Sequence, residues 1–150
     1  MDDVAGMGFA LAEAQASYDA GGVPVGAALV GHDGSVVGVG HNRRVQDANP
    51  LSHGETQCMM NVGRRASYAD LVMYTTLAPC MMCAGTIVQF GIPRVVVGEA
   101  ANFPGELDFL RARGVNVVVL DHKPCIELMA KFIAEKPELW NEDIGVAPDA

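Results

Sequence analysis

Two short segments, His53-Gly54-Glu55 and Pro79-Cys80-Met81-Met82-Cys83, restrict this chain to folds that bring both to one point. A thiolate pair separated by two residues can share a metal ion, and one imidazole adds a third ligand, which leaves tetrahedral zinc one position short of closed. Water fills such a vacancy, and zinc lowers its pKa toward neutrality, so hydroxide forms at physiological pH without a strong protein base. Some group must then collect the proton. Glu55 stands two residues from His53, near enough to reach the same water without entering the coordination sphere.

Taken singly, neither segment is diagnostic. A C-x-x-C pair also serves as a redox dithiol or as half of a structural zinc knuckle, and an isolated His and Glu on a helix is ordinarily surface decoration. The joint pattern is far more specific: H-x-E first, then Pro directly before the first cysteine, with about one βα unit between them. Two more cysteines need placing. Cys58 falls off the helical face of His53 and reads as a buried structural thiol. Cys125, beside Pro124, stays open as a fourth ligand, which would close the site to water and make it purely structural.

The segments around the motifs alternate between strand and helix. Asp3 to Tyr18 reads as a helix ended by Gly21-Gly22, and Val25 to Val30 as a buried strand. Asp33-Gly34 turns the chain back onto Val36 to Val39, predicting an antiparallel first hairpin. A loop from His41 to Ser52, with the turn signal Asn49-Pro50, precedes a helix beginning near His53. Strands follow at Leu71 to Thr76, Val95 to Val97 and Asn116 to Leu120. Helices are expected from Pro79, over Glu106 to Arg113, from Pro124 to Ala134 and from Pro137 to Trp140, with Gly145 to Ala150 free to fray. Parallel strands joined by helices need right-handed crossovers, so the order predicts an α/β fold: a mixed five-stranded sheet, its later strands parallel, with helices on both faces. Both motif segments then stand at the starts of consecutive crossover helices, where the helix N-terminus stabilises thiolate. His32, His41 and His122 read as turn or surface residues, and Met59, Met60, Met81 and Met82 as fillers of core gaps.

With 150 residues, the chain is expected to form a single domain over 1–150. Half of its residues are hydrophobic and 19% charged, which excludes disorder and favours a well-buried sheet. No apolar run approaches the ~20 residues of a membrane span, and no basic start or cleavage pattern marks a signal peptide, so no membrane partner and a cytoplasmic location are expected. Ten Lys and Arg against 18 Asp and Glu give a net charge of −8, which weighs against nucleic acid as a partner. The basic doublets Arg43-Arg44 and Arg64-Arg65 read as local ion pairs or a solvated face, and a small uncharged substrate fits better.

With the motifs so placed, the chain resembles the cytidine deaminase superfamily, and within it the fungal cytosine deaminases. Beyond the zinc motifs, the resemblance rests on Gly21-Gly22-Val23-Pro24, Asp33-Gly34-Ser35-Val36, Gly40-His41-Asn42, Tyr74-Thr75-Thr76-Leu77 and Glu142-Asp143-Ile144-Gly145. It runs from the first helix nearly to the C-terminus, and the ending Trp140-Asn141-Glu142-Asp143-Ile144-Gly145 separates this group from tRNA adenosine deaminases. The resemblance implies a three-layer α/β/α cytidine-deaminase-like fold, a Zn2+ cofactor, a homodimer, and hydrolysis of cytosine to uracil and ammonia. It implies His53, Cys80 and Cys83 as zinc ligands and Glu55 as proton shuttle. Asn42 and Asp143 would hydrogen-bond the base, Trp140 and Phe103 would wall its pocket, and Val25, Gly54, Thr75 and Leu77 would line it. Two departures bear on the substrate. Leu77-Ala78-Pro79 stands where the fungal enzymes have Leu-Ser-Pro, and the loop after Phe103 is shorter and carries Pro104-Gly105. A lost hydroxyl can change which base is accepted, so isocytosine, guanine and creatinine remain alternative substrates.

Overall fold

The computed structural model describes residues 1–148, and the last two residues of the segment expected to fray lie outside the described residues. Its elements are α1 (Asp3–Asp19), β1 (Gly26–Gly31), β2 (Val36–His41), α2 (Arg44–Asp47), α3 (Gly54–Val62), β3 (Leu71–Thr75), α4 (Met81–Gln89), β4 (Arg94–Val97), α5 (Leu107–Ala112), β5 (Asn116–Val119), α6 (Lys123–Glu135) and α7 (Pro137–Asp143). The strands form one sheet in the order β2-β1-β3-β4-β5. β1 runs antiparallel to both β2 and β3, whereas β3, β4 and β5 are parallel, as the expected mixed sheet requires. At the first hairpin, Asp33 Oδ1 accepts from Ser35 N at 3.0 Å and Gly34 takes φ +86°, a conformation that costs glycine little.

Alternation along the strands divides the core between the two faces. Ala27, Leu29, Met73, Val95 and Val97 point to one side, where they pack with Cys58 of α3, Ala84 and Ile87 of α4 and Leu110 of α5. Ala28, Val30, Tyr74 and Val96 point to the other and meet Met7 and Ala10 of α1 and Cys125 of α6. α1 presents Gly6, Ala10 and Ala14 to the sheet, a stripe of small residues at helical spacing that lets the backbones approach closely. A Cβ on Gly26 would lie 2.1 Å from Ala10 O and 2.5 Å from Ala14 N. No described helix is long and apolar enough to cross a membrane.

Four local expectations are corrected. The segment His41 to Ser52 contains the short helix α2, held by the Arg43–Asp47 ion pair at 2.7 Å and by Asn42 Oδ1, which accepts from Arg44 N at 2.9 Å. The next helix opens at Met81 with Cys80 as its cap, because the Cys80 carbonyl accepts the first intrahelical bond from Ala84 N; Pro79 stands outside the helix. Met60 and Met81 are more than half exposed rather than filling the core, and Met59 and Met82 are half-buried. His41 is not a surface residue either, since its ring pairs with Glu13 at 3.1 Å at the end of β2.

Gly26→Ala should therefore destabilise the protein by about 3 kcal/mol or more, because the obstruction is backbone that cannot step aside. Gly8→Ala, on the open face of α1 with nothing within 4 Å, should stabilise by about 0.5–1 kcal/mol. Urea unfolding midpoints at unchanged slope check both.

Candidate active site and metal centre

Two helix starts face one another where β1 begins and β3 ends. His53 caps α3 in extended backbone, and its N–H donates to Thr56 Oγ1 at 2.9 Å, which sets the entry of the chain into the helix. Gly54 follows because a Cβ there would lie 2.9 Å from Val25 O. Cys80 caps α4, and Cys83 lies in its first turn. The His53 ring thereby stands with Nδ1 3.4 Å from Cys80 Sγ and 3.6 Å from Cys83 Sγ. Its Nε2 lies 3.4 Å from Asp143 Oδ1, the arrangement in which a carboxylate orients a metal-binding imidazole.

The three donor atoms lie within 4.8 Å of one another, and one nitrogen with two sulfurs is a donor set suited to zinc. Neither remaining cysteine joins them. Cys58 Sγ lies 3.5 Å from Gly38 O, and Cys125 Sγ lies 3.4 Å from His122 Nδ1 on the opposite face of the sheet. Burial pushes both thiols up to about 12, as befits inert structural cysteines. Cys125, left open by sequence, is thus no fourth ligand.

Charges within the site are strongly coupled. The Cys83 thiol donates to Cys80, and this bond with the His53 ring brings Cys80 down to about 4. The same bond, reinforced by burial, holds the proton on Cys83 well above the ordinary thiol range. Burial works to lower His53, but the Cys80 thiolate and the Asp143 and Glu55 carboxylates outweigh it and raise the ring to about 9. Glu55 is 3% exposed; burial, then the negative Cys80, raises its pKa. Thr75 Oγ1 lies 3.0 Å from Glu55 Oε1 and 3.2 Å from Leu77 O, tying the carboxyl to the end of β3.

Above this group lies a small cavity of about 20 Å³. Val25, Asn42, His53, Glu55, Leu77, Cys80, Phe103, Trp140 and Asp143, all singled out from sequence, line it. Thr75 and Gly54 stand outside the lining: Thr75 is fully buried behind Glu55, and Gly54 packs on Val25. Asn42 Nδ2 donates to Asp143 Oδ1 at 2.9 Å, so residues a hundred positions apart act as one polar wall. Burial raises Asp143, with His53 and Asn42 opposing. Phe103 and Trp140 meet edge to face with centroids 5.7 Å apart and close the top. Ile144, which lies within the Glu142-Asp143-Ile144-Gly145 ending and is not among the residues expected from sequence, also lines the cavity. Ala78 is also in the wall, and a Cβ on Gly105 would lie 2.7 Å from the Ala78 Cβ, so the two departures from the fungal pattern pack against each other.

A profile of the cytidine and deoxycytidylate deaminase zinc-binding region matches residues 1–99. The chain is 48% identical over 146 residues to the cytosine deaminase of Candida albicans, across 96% of this chain and 97% of that protein. A tRNA-specific adenosine deaminase of Streptococcus pyogenes is 31% identical over 104 residues, spanning 67% of this chain and 60% of that protein. The guanine deaminase of Nitrosomonas europaea shares the fold, with a TM-score of 0.73 at 22% identity over 87% of this chain and 84% of that chain. The chain belongs to the cytidine and deoxycytidylate deaminase family. That family's domain binds zinc, and His53, Cys80 and Cys83 are positioned to hold the ion.

Zinc must displace the protons that its ligands carry. Near pH 7.5, below the His53 value of about 9, the metal-free ring is charged and Cys83 is protonated, whereas Cys80 is already thiolate. Zinc titration in weak buffer should release roughly two protons per ion, and affinity should fall as pH falls. Cys83→Ala should abolish stoichiometric zinc in the purified protein, while Cys125→Ala keeps it.

Proposed function

We propose that the chain is a single zinc-dependent domain over 1–150 that deaminates free cytosine, with water, to uracil and ammonia. The observation that carries this reading is one cavity in which Glu55, next to the His53, Cys80 and Cys83 cluster, faces the Asn42–Asp143 wall under the Phe103–Trp140 roof. The relative from Candida albicans, matched over nearly its whole length, supports cytosine as the base.

Zinc held by His53, Cys80 and Cys83 would supply a water acidified toward neutral pH. Glu55 takes a proton from the attacking water and passes it to ring N3, which makes C4 electrophilic as the C4–O bond forms. It then carries the remaining hydroxyl proton to the exocyclic nitrogen, the C4–N bond breaks, and ammonia leaves. A carboxyl whose pKa burial raises suits both halves of this cycle, because it neither holds nor loses the proton too firmly. Asp143 accepts from the exocyclic amine. Asn42, whose Oδ1 is committed to Arg44 N and one N–H to Asp143, retains its second N–H for the polar edge of the ring.

The roof occupies the space a ribose needs, so nucleosides are excluded. The net charge of −8 and the ion pairs that engage Arg43, Arg44 and Arg65 support a free base over tRNA. A second reading rests on Ala78: a wall without the family hydroxyl suits another amino-heterocycle such as isocytosine, guanine or creatinine. Exposed Leu51, Met60, Met81 and Phe90 on and beside α3 and α4 support a homodimer through this face, and sedimentation should give twice the chain mass. Four free cysteines suit a reducing cytoplasmic setting, with a place in pyrimidine salvage.

Zinc-loaded protein offered cytosine, isocytosine, guanine, creatinine and cytidine should release ammonia from cytosine and not from cytidine. Release from isocytosine alone replaces the substrate and leaves the mechanism. Glu55→Ala should lose about a thousandfold in turnover or more while retaining zinc; near-normal ammonia release would defeat the shuttle.

A further inference from the structure

Phe103 is carried by residues 98–106, between β4 and α5, and this segment is built around a carboxylate that the proposed reaction does not use. Its backbone is pinned to the strand end that leads into Cys80: Gly98 N donates to Thr75 O at 2.8 Å, Ala78 N to Glu99 O at 2.9 Å, and Glu106 N to Pro79 O at 2.9 Å. Between the last two pins no backbone–backbone hydrogen bond holds residues 100–105. Glu99 is fully buried. Its Oε2 accepts from Asn102 N at 2.9 Å and its Oε1 from Asn102 Nδ2 at 2.9 Å. The Asn102 amide also donates to Ile126 O of α6 at 3.0 Å, so both of its protons are committed.

A carboxylate with no solvent contact is costly to bury and persists where its oxygens are satisfied. Glu99 does not line the cavity, and no cation pairs with it among the described residues. What its two bonds do is fix the residue immediately before Phe103, and the bond to Ile126 ties that residue to the helix layer. Without these bonds the loop samples several courses, and binding a base must then bear the cost of ordering it.

We propose that Glu99 and Asn102 form a latch that positions Phe103 against Trp140, so that the roof of the cavity is set before substrate arrives. They are positioning residues, acting through Phe103 without touching the base. This inference rests on the reading of the cavity as a nucleobase site. The latch lies outside the cavity and acts on affinity through Phe103.

Trp140 is the only tryptophan, so its emission reports the roof directly and needs no turnover. Zinc-loaded wild type, Asn102→Ala, Glu99→Gln, Phe103→Ala and the Asn102→Ala/Phe103→Ala double variant are compared for emission, zinc content and cytosine kinetics. Asn102→Ala should red-shift the emission and raise KM about tenfold, as expected for losing a buried hydrogen-bonded constraint, with kcat within about threefold and zinc retained. Glu99→Gln, which keeps one acceptor oxygen, should give the smaller change of the two. In the Phe103→Ala background, Asn102→Ala should add nothing to KM or to emission.

An unchanged emission and KM, or an equal factor in both backgrounds, overturns the latch, because a merely structural residue acts regardless of Phe103. Glu99→Gln alone decides the matter on the same readouts should Asn102→Ala fail to fold. If wild type releases no ammonia from cytosine, the substrate reading fails by itself, and the emission comparison still tests the latch.

Discussion

Everything at this site depends on two helix starts meeting nose to nose. His53 and Cys80 are both caps in extended backbone, and only because α3 and α4 begin at the same end of the sheet does an imidazole nitrogen come within 3.6 Å of two sulfurs. The sheet enforces this meeting. β1 and β3 are antiparallel neighbours, α3 enters beside the start of β1 and α4 follows the end of β3, and the faces of both helices are buried in one cluster. A register slip in either strand would move a cap by more than a bond length and break the set, so the small residues that seat α1 on β1 matter to the metal centre from a distance.

Concentrating acidic groups around that meeting point has a cost, and the chemistry rests on it. Glu55, Asp143, Cys80 and Cys83 are all buried or nearly so, and the coupled sulfurs share one proton without metal. His53 is held charged under the same conditions. A divalent cation with three protein ligands relieves this crowding of negative charge, which is why the donor set favours zinc over an empty site. The Thr75 bond orients Glu55, and the Asn42 bond together with the His53 ring orients Asp143.

Much of the fold was legible because its signals are local. Asp33-Gly34 specifies a tight turn, the Val-rich runs at β4 and β5 are too short to be anything but strands, and the two motifs declare a shared metal by residue type and spacing. Other features carry no local signature. Four residues are too few to show helical periodicity, so α2 emerges only from Arg43–Asp47, Asn42 and the Arg44 contact with Glu142 near the other end of the chain. Periodicity says that Met60 and Met81 sit on helices but not which way they face. A single Glu at position 99 looks like any surface carboxylate until the fold encloses it.

By itself, the sequence determined the ligand types, the carboxylate beside them and the strand and helix alternation that makes an α/β sheet, since each follows from residue chemistry over short spacings. Only the tertiary structure decided that Cys125 lies across the sheet from the other sulfurs, that Thr75 serves Glu55 rather than the cavity, and that Glu99 holds the loop before Phe103. The physical reason is distance along the chain. Burial and hydrogen-bond partners are set by segments far apart in sequence, and no local pattern encodes which of them will meet.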